Sequence, residues 1–219
     1  MASDDATRDR HRRRRMLVET GYDWMAEAYL ASKPPLTVEV EALLERLLEG
    51  LPRDAPLLDL GCGAGLPVTR RLAEHGRVTG IDLSARQLEL ARANVPDGVF
   101  IQADMTEVDF PAASFGAVVA MHSIIHVPRE HHEPLLCRIH DWLRPGGRFL
   151  ATWPLSAWEG GEADWSGWGA PMWWSHFGAD TYEALLLQAG FIIEIAETLQ
   201  TQDETWCWIL ARNAMREGG

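Results

Sequence analysis

The sequence is nearly without lysine. Lys33 is the only one, against 19 arginines, in a chain of 219 residues with 20 basic and 32 acidic side chains. We read that imbalance as compositional bias. Cysteine is scarce as well: Cys62, Cys137 and Cys207 show no C-x-x-C spacing and cannot all pair within one chain, which argues against a disulfide scaffold and fits a reduced, cytoplasmic compartment. No apolar run approaches the ~18 residues that a membrane helix needs. The opening MASDDATRDRHRRRR lacks the apolar stretch of a secretory signal. Repeats and long low-complexity linkers are missing too. What remains is globular, with 47% hydrophobic and 24% charged residues, enough for one domain with a sizeable core.

Charge is unevenly placed. Residues 1–15 hold six arginines against Asp4, Asp5 and Asp9, net +3, so the rest carries −15. An acidic body repels phosphates, which argues against a nucleic-acid partner. The arginine run therefore reads as a flexible, solvated arm over 1–15 rather than a nucleic-acid arm, with a single domain over 16–213.

Apolar spacing predicts helices over 11–30, ending at Lys33-Pro34-Pro35, and over 37–49, stopped by Gly50. Short apolar runs then alternate with helical ones: strands at 56–60, 77–81, 99–103, 115–121 and 148–153, with helices up to His75 and over 84–94 and 129–142. Near-continuous apolar strands alternating with helices imply a parallel sheet covered on both faces. Ser84 and Gln87 form a capping box that fixes one helix start. A helix over 180–189 has Asp180 as its cap, and 191–199 with 204–212 reads as a closing antiparallel hairpin.

The strongest motif is LLDLGCGAG at 57–65. A buried strand runs into Gly61, Gly63 and Gly65, which permit a tight turn and close approach of a ligand to the backbone. A dinucleotide fingerprint needs a sixth-position glycine, and Leu66 stands there instead. Asp59, two residues ahead of Gly61, suits a ligand that carries an ammonium group. In this pattern the chain resembles the class I S-adenosylmethionine-dependent methyltransferases, whose first strand ends in D-x-G-x-G-x-G.

That resemblance implies a doubly wound, Rossmann-like α/β fold with a seven-stranded sheet whose last strand is antiparallel. It implies S-adenosyl-L-methionine as cofactor and S-adenosyl-L-homocysteine as product. It assigns Asp82 to the ribose hydroxyls, Leu83 and Gln87 to the flanks of the nucleoside, and Asp104 with Met105 to the adenine. MHSIIHV after the fourth strand and LRPGG before the fifth are further matches. Gly116 stands where the family usually has an acid. Met121-His122 stands where metal-dependent members place acidic ligands, so no metal is expected. The D/N-P-P-Y/F signature of amino-methylating DNA enzymes is missing, and the cysteines do not suit an arsenite methyltransferase.

On the acceptor side, GYDWMAEAY resembles the N-terminal cap helix of small-molecule methyltransferases. It offers Tyr22 and Tyr29 to the cofactor and Trp24 to the substrate. The segment 154–177 is rich in Trp and Gly and reads as a substrate lid, with Trp153, Trp168, Trp173 and His176 facing the acceptor. His176, His122 and His126, in that order, are candidates for a general base, and His131 and His132 read as surface residues. The expected function is methyl transfer to a small aromatic or hydrophobic acceptor by a soluble monomer or homodimer, with no membrane partner. The alternatives are a tRNA or protein methyltransferase and a catalytically silent cofactor-binding subunit.

Overall fold

The computed structural model describes residues 2–201 and 204–214. Met1 and the tip of the final hairpin at 202–203 lie outside the described residues. The elements in chain order are α1 (Ala2–Ser32), α2 (Val38–Leu48), β1 (Pro56–Leu60), α3 (Val68–Ala73), β2 (Arg77–Asp82), α4 (Ala85–Asn94), β3 (Val99–Gln102), β4 (Phe115–Ala120), α5 (His132–Trp142), β5 (Leu143–Pro154), β6 (Trp158–Glu162), β7 (Met172–His176), α6 (Ala179–Gln188), β8 (Phe191–Thr201) and β9 (Glu204–Asn213).

Seven strands form one sheet in the order β3-β2-β1-β4-β5-β9-β8. The first five run parallel, and β9 inserts antiparallel between β5 and β8. Burial alternates with the pleat. Leu58, Val118, Phe149 and Ile209 face α5 and α6, whereas Leu57, Val119, Leu150 and Leu210 face α2 and α4. The strand order reverses between β1 and β4, which opens a crevice at their carboxyl ends.

Three local readings change. The first helix begins at Ala2, so the Arg-rich stretch expected as a loose arm is continuous with α1, and its His11, Arg14 and Arg15 reach the body of the fold. Helix α6 is preceded by Gly178 in extended conformation, and Asp180 sits in its first turn rather than at its cap. Ser84 does cap α4, accepting from Gln87 N at 3.0 Å, but the Gln87 amide does not reach back.

The insert at 154–177 folds into the β6–β7 hairpin. It packs against α1 through Val18, Met25, Ala170, Met172 and Trp174. The contact is tight at Gly21, where a Cβ would lie 2.6 Å from the Pro171 carbonyl oxygen. Gly21→Ala should therefore loosen α1 from the hairpin, measured as faster amide exchange in both elements with the sheet unchanged. Unaltered exchange in α1 would contradict this account.

Candidate active site

The crevice is shaped first by backbone. Gly61, at φ 79°, lies so close to the loop after β4 that a Cβ would sit 2.2 Å from Ser123 Cβ, so only glycine fits. The Gly61 and Cys62 amides both donate to the Ile81 carbonyl, tying the loop to β2. Gly63, at φ 52°, donates its amide to one Asp82 carboxylate oxygen at 2.8 Å, and the Ser84 amide donates to the other at 2.9 Å. Asp82 is thus clamped at the end of β2 with lone pairs remaining on both oxygens. Burial pushes its pKa up to about 6, against the opposing pull of the Ser84 and Gly63 amides. Asp59 accepts from Thr69 Oγ1 at 2.7 Å, and burial, with the Asp82 charge adding, lifts it to about 7.

These groups line a cleft of two lobes. An outer lobe of about 520 Å³ holds Asp82, Leu83, Asp104 and Met105 on one side and Val18, Tyr22 and His126 on the other. An inner lobe of about 170 Å³ holds Asp59, Thr69 and Met121. The lobes share Tyr29, Gly61, Gly63, Gln87, Met121 and His122. Every cofactor residue expected from sequence therefore borders the cleft except Gly65, which instead lets α4 approach at Ala91 and Val95. Gln87 is 1% exposed, and neither its amide nitrogen nor its oxygen has a partner among the described residues.

The expected base and lid residues are dispersed. His122 and His126 line the cleft, but burial depresses them to about 3 and about 4, so both are neutral and weakly basic. His126 has both nitrogens engaged. Nδ1 lies 2.7 Å from the Trp173 carbonyl, which can only accept, so Nε2 accepts from the Tyr22 hydroxyl at 2.9 Å. His176 is buried against the Phe177 carbonyl and does not border the cleft.

The tryptophans mostly do other work. Trp153 is 0% exposed in the core, stacked on Tyr182 at 3.8 Å. Trp168 packs edge-on against Tyr29, and Trp173 lies beneath the Arg14 guanidinium at 4.3 Å. Trp24 is 71% exposed on the outer face of α1. The hairpin is a brace for α1 and His126, and α1 itself is the wall of the cleft. A tryptophan-rich loop reads alike in sequence whether its indoles face a ligand or a helix.

Sequence reasoning missed Lys33 and Trp208. Lys33 borders the inner lobe, donates to the Tyr29 hydroxyl at 2.5 Å and lies over its ring. Among the described residues no carboxylate pairs with it. Trp208 borders the same lobe, and its buried indole N–H has no partner among the described residues. The signal for Lys33 was its singularity, which we read as composition. His131 and His132 were misjudged: His131 borders the outer lobe, and His132 is fully buried, bonded to Val127 and Tyr182.

Comparison with known proteins agrees with this geometry. Residues 57–147 match a methyltransferase domain family. The chain is 42% identical over 115 residues to 27-O-demethylrifamycin SV methyltransferase of Amycolatopsis mediterranei, covering 48% of this chain and 42% of that one. It is 39% identical over 149 residues to a ubiquinone biosynthesis O-methyltransferase of Methylocella silvestris, covering 59% and 57%. Among solved structures, an S-adenosylmethionine-dependent methyltransferase from Mesorhizobium loti superposes with a TM-score of 0.62 at 24% identity, over 80% of this chain and 98% of that one. The chain spans about half the length of these two curated relatives. Sheet order, the glycine loop and the domain matched over residues 57–147 all agree with the class I S-adenosylmethionine-dependent methyltransferases, whose fold the chain shares.

Proposed function

We propose that this protein binds S-adenosyl-L-methionine across both lobes and transfers its methyl group to a small hydroxylated acceptor, releasing S-adenosyl-L-homocysteine. One observation carries the cofactor reading. The clamped Asp82 carboxylate and the unpaired Gln87 amide converge where the glycine loop leaves room for a ligand. An orphaned buried amide is costly unless a ligand satisfies it. In this reading Asp82 accepts from the ribose hydroxyls, Leu83 and Met105 flank the adenine, and Asp104 accepts from its amino group. Asp59 and Lys33, in the inner lobe, suit the ammonium and the carboxylate of the amino-acid end. When bound, the cofactor supplies a sulfonium methyl group with sulfur as leaving group.

The outer part of the larger lobe is left for the acceptor. Val18, Val127 and Pro128 give it apolar walls, and Tyr22 presents a hydroxyl held by His126. Its carbonyl bond to Trp173 makes His126 a positioning residue, and its depressed pKa makes it a poor base near neutral pH. We favour a hydroxyl acceptor because the two relatives described are an O-demethylrifamycin methyltransferase and an O-methyltransferase by name. Among the described residues no helix is long and apolar enough to cross a membrane. The acidic body argues against nucleic acid, and unpaired cysteines suit the cytoplasm.

The test is mass-spectrometric detection of methylated product with catechol, 4-hydroxybenzoate, aniline and thiophenol as probes, alongside thermal scans with S-adenosyl-L-homocysteine. Product on an oxygen supports the proposal. Stabilisation with no product on any probe favours a silent binding subunit, and the absence of both stabilisation and product overturns the reading. Turnover should also persist in EDTA, because the end of β4 offers Met121 and His122 and no carboxylate. Activity lost to EDTA and restored by magnesium would refute metal independence.

A further inference from the structure

We infer that His131 is the general base for a hydroxyl acceptor, with His11 and Glu130 behind it as a proton relay. The inference rests on the methyl-transfer reading above and adds the group that takes the proton.

The geometry is a chain of three side chains from two elements. Glu130 and His131 lie in the turn before α5, and His11 comes from α1. His11 Nε2 is 2.5 Å from Glu130 Oε1, and His11 Nδ1 is 3.0 Å from His131 Nε2. The two rings meet edge to face, centroids 4.8 Å apart. Burial would raise the Glu130 carboxyl, but its own backbone amide and His11 outweigh that and hold it below its usual value. An ionised Glu130 only accepts, so His11 Nε2 carries a proton, and in the neutral ring His11 Nδ1 is the acceptor. His131 Nε2 must then donate, which leaves the lone pair on His131 Nδ1.

That lone pair has no donor among the described residues, and His131 and His11 both border the outer lobe. The other candidates lack this combination. His126 has both nitrogens occupied, His122 is depressed to about 3, and His176 lies outside the cleft. Around the relay stand Arg12 and Arg15 of α1, Arg129 of the same turn, and Asp104 and Glu107 across the lobe. Arg15 is paired with Glu107 at 2.9 Å, and Arg12 with Asp9, so neither cation is aimed unopposed at His131.

The step balances. The acceptor O–H gives its proton to His131 Nδ1, and the acceptor oxygen forms its bond to the methyl carbon as the carbon–sulfur bond breaks, that electron pair staying on sulfur. The imidazolium charge is offset by Glu130 through His11. The proton then leaves by way of the half-exposed Glu130 carboxylate.

The primary test is histidine ¹⁵N NMR of the full chain with S-adenosyl-L-homocysteine bound. Above neutral pH, His131 should carry its proton on Nε2 with Nδ1 bare, and Glu130→Gln and His11→Gln should each shift the His131 titration midpoint. A His131 protonated on Nδ1, or titrating identically in all three proteins, overturns the inference. Thermal stabilisation by the same ligand in each variant reports that the fold and cofactor site survive; its loss in the wild-type protein would instead sink the functional reading. In the kinetic arm, His131→Gln should lower the catechol-to-thiophenol rate ratio by roughly 10²–10⁴-fold, since a thiolate needs no base. An unchanged ratio would also overturn it.

Discussion

Replacing Asp82 by asparagine should weaken binding of S-adenosyl-L-homocysteine by roughly 10–150-fold in calorimetry. A hydrogen bond to a charged group contributes ~1.5–3 kcal/mol, and ~1.4 kcal/mol is tenfold in affinity. The ribose diol would address both oxygens of a buried carboxylate that Gly63 and Ser84 already hold in place. An amide of the same shape offers one acceptor and turns an N–H toward a backbone N–H.

The pH dependence follows from the same group. Burial raises Asp82 from its ordinary value to about 6, so its favourable contribution to the free protein is full in acid and is lost as pH rises through about 6. The diol needs the ionised form, and so does an ammonium at Asp59, which ionises near 7. Wild-type affinity should therefore rise between pH 5 and pH 8, by about tenfold for Asp82 alone. The Asp82→Asn variant should retain only the part of that rise that belongs to Asp59. A wild-type dissociation constant that is flat over this range, or a variant that binds as tightly, would contradict the assignment of Asp82.

The part of the cleft built on the sheet edge was legible because it is written in local sequence. Asp59, Gly61, Gly63 and Asp82 each stand at the end of a strand, and parallel strands deliver their carboxyl ends to one edge. Strand positions were legible for a related reason: strands buried on both faces leave a near-continuous apolar run, as 56–60 and 115–120 do. The part supplied by α1 was legible only at Tyr22 and Tyr29, because it depends on which face of α1 meets the sheet. His11, Val18 and Tyr22 reach the cleft only through docking of α1 against the β6–β7 hairpin and the turn at 129–131. That docking joins residues more than 100 positions apart, and no periodicity records it.

The tryptophans show how composition misleads, and Trp153 provides the second large effect. Trp153→Ala should lower stability by about 3–5 kcal/mol, a large share of the ~5–15 kcal/mol that holds a domain together. Trp153 fills the layer between β5 and α6, stacked on Tyr182 with 22° between ring planes. Tyr182 in turn donates to His132 Nδ1 at 2.9 Å, and His132 Nε2 donates to the Val127 carbonyl at 2.7 Å, just ahead of the turn that carries Glu130 and His131. Removing the indole leaves a cavity beside that chain. At ~2–4 °C per kcal/mol for a chain of this size, the melting temperature should fall by about 10 °C. Because the residue does not border the cleft, affinity for S-adenosyl-L-homocysteine measured below the melting transition should stay within about twofold.

Trp173→Ala sets the contrast. It removes an indole lying under Arg14 but leaves the backbone carbonyl that orients His126, so its stability cost should be far smaller. If Trp153→Ala instead melts like the wild-type protein while ligand affinity collapses, Trp153 belongs to the cleft wall after all. In that case the division between a core brace at β5 and a ligand-facing α1 fails with it.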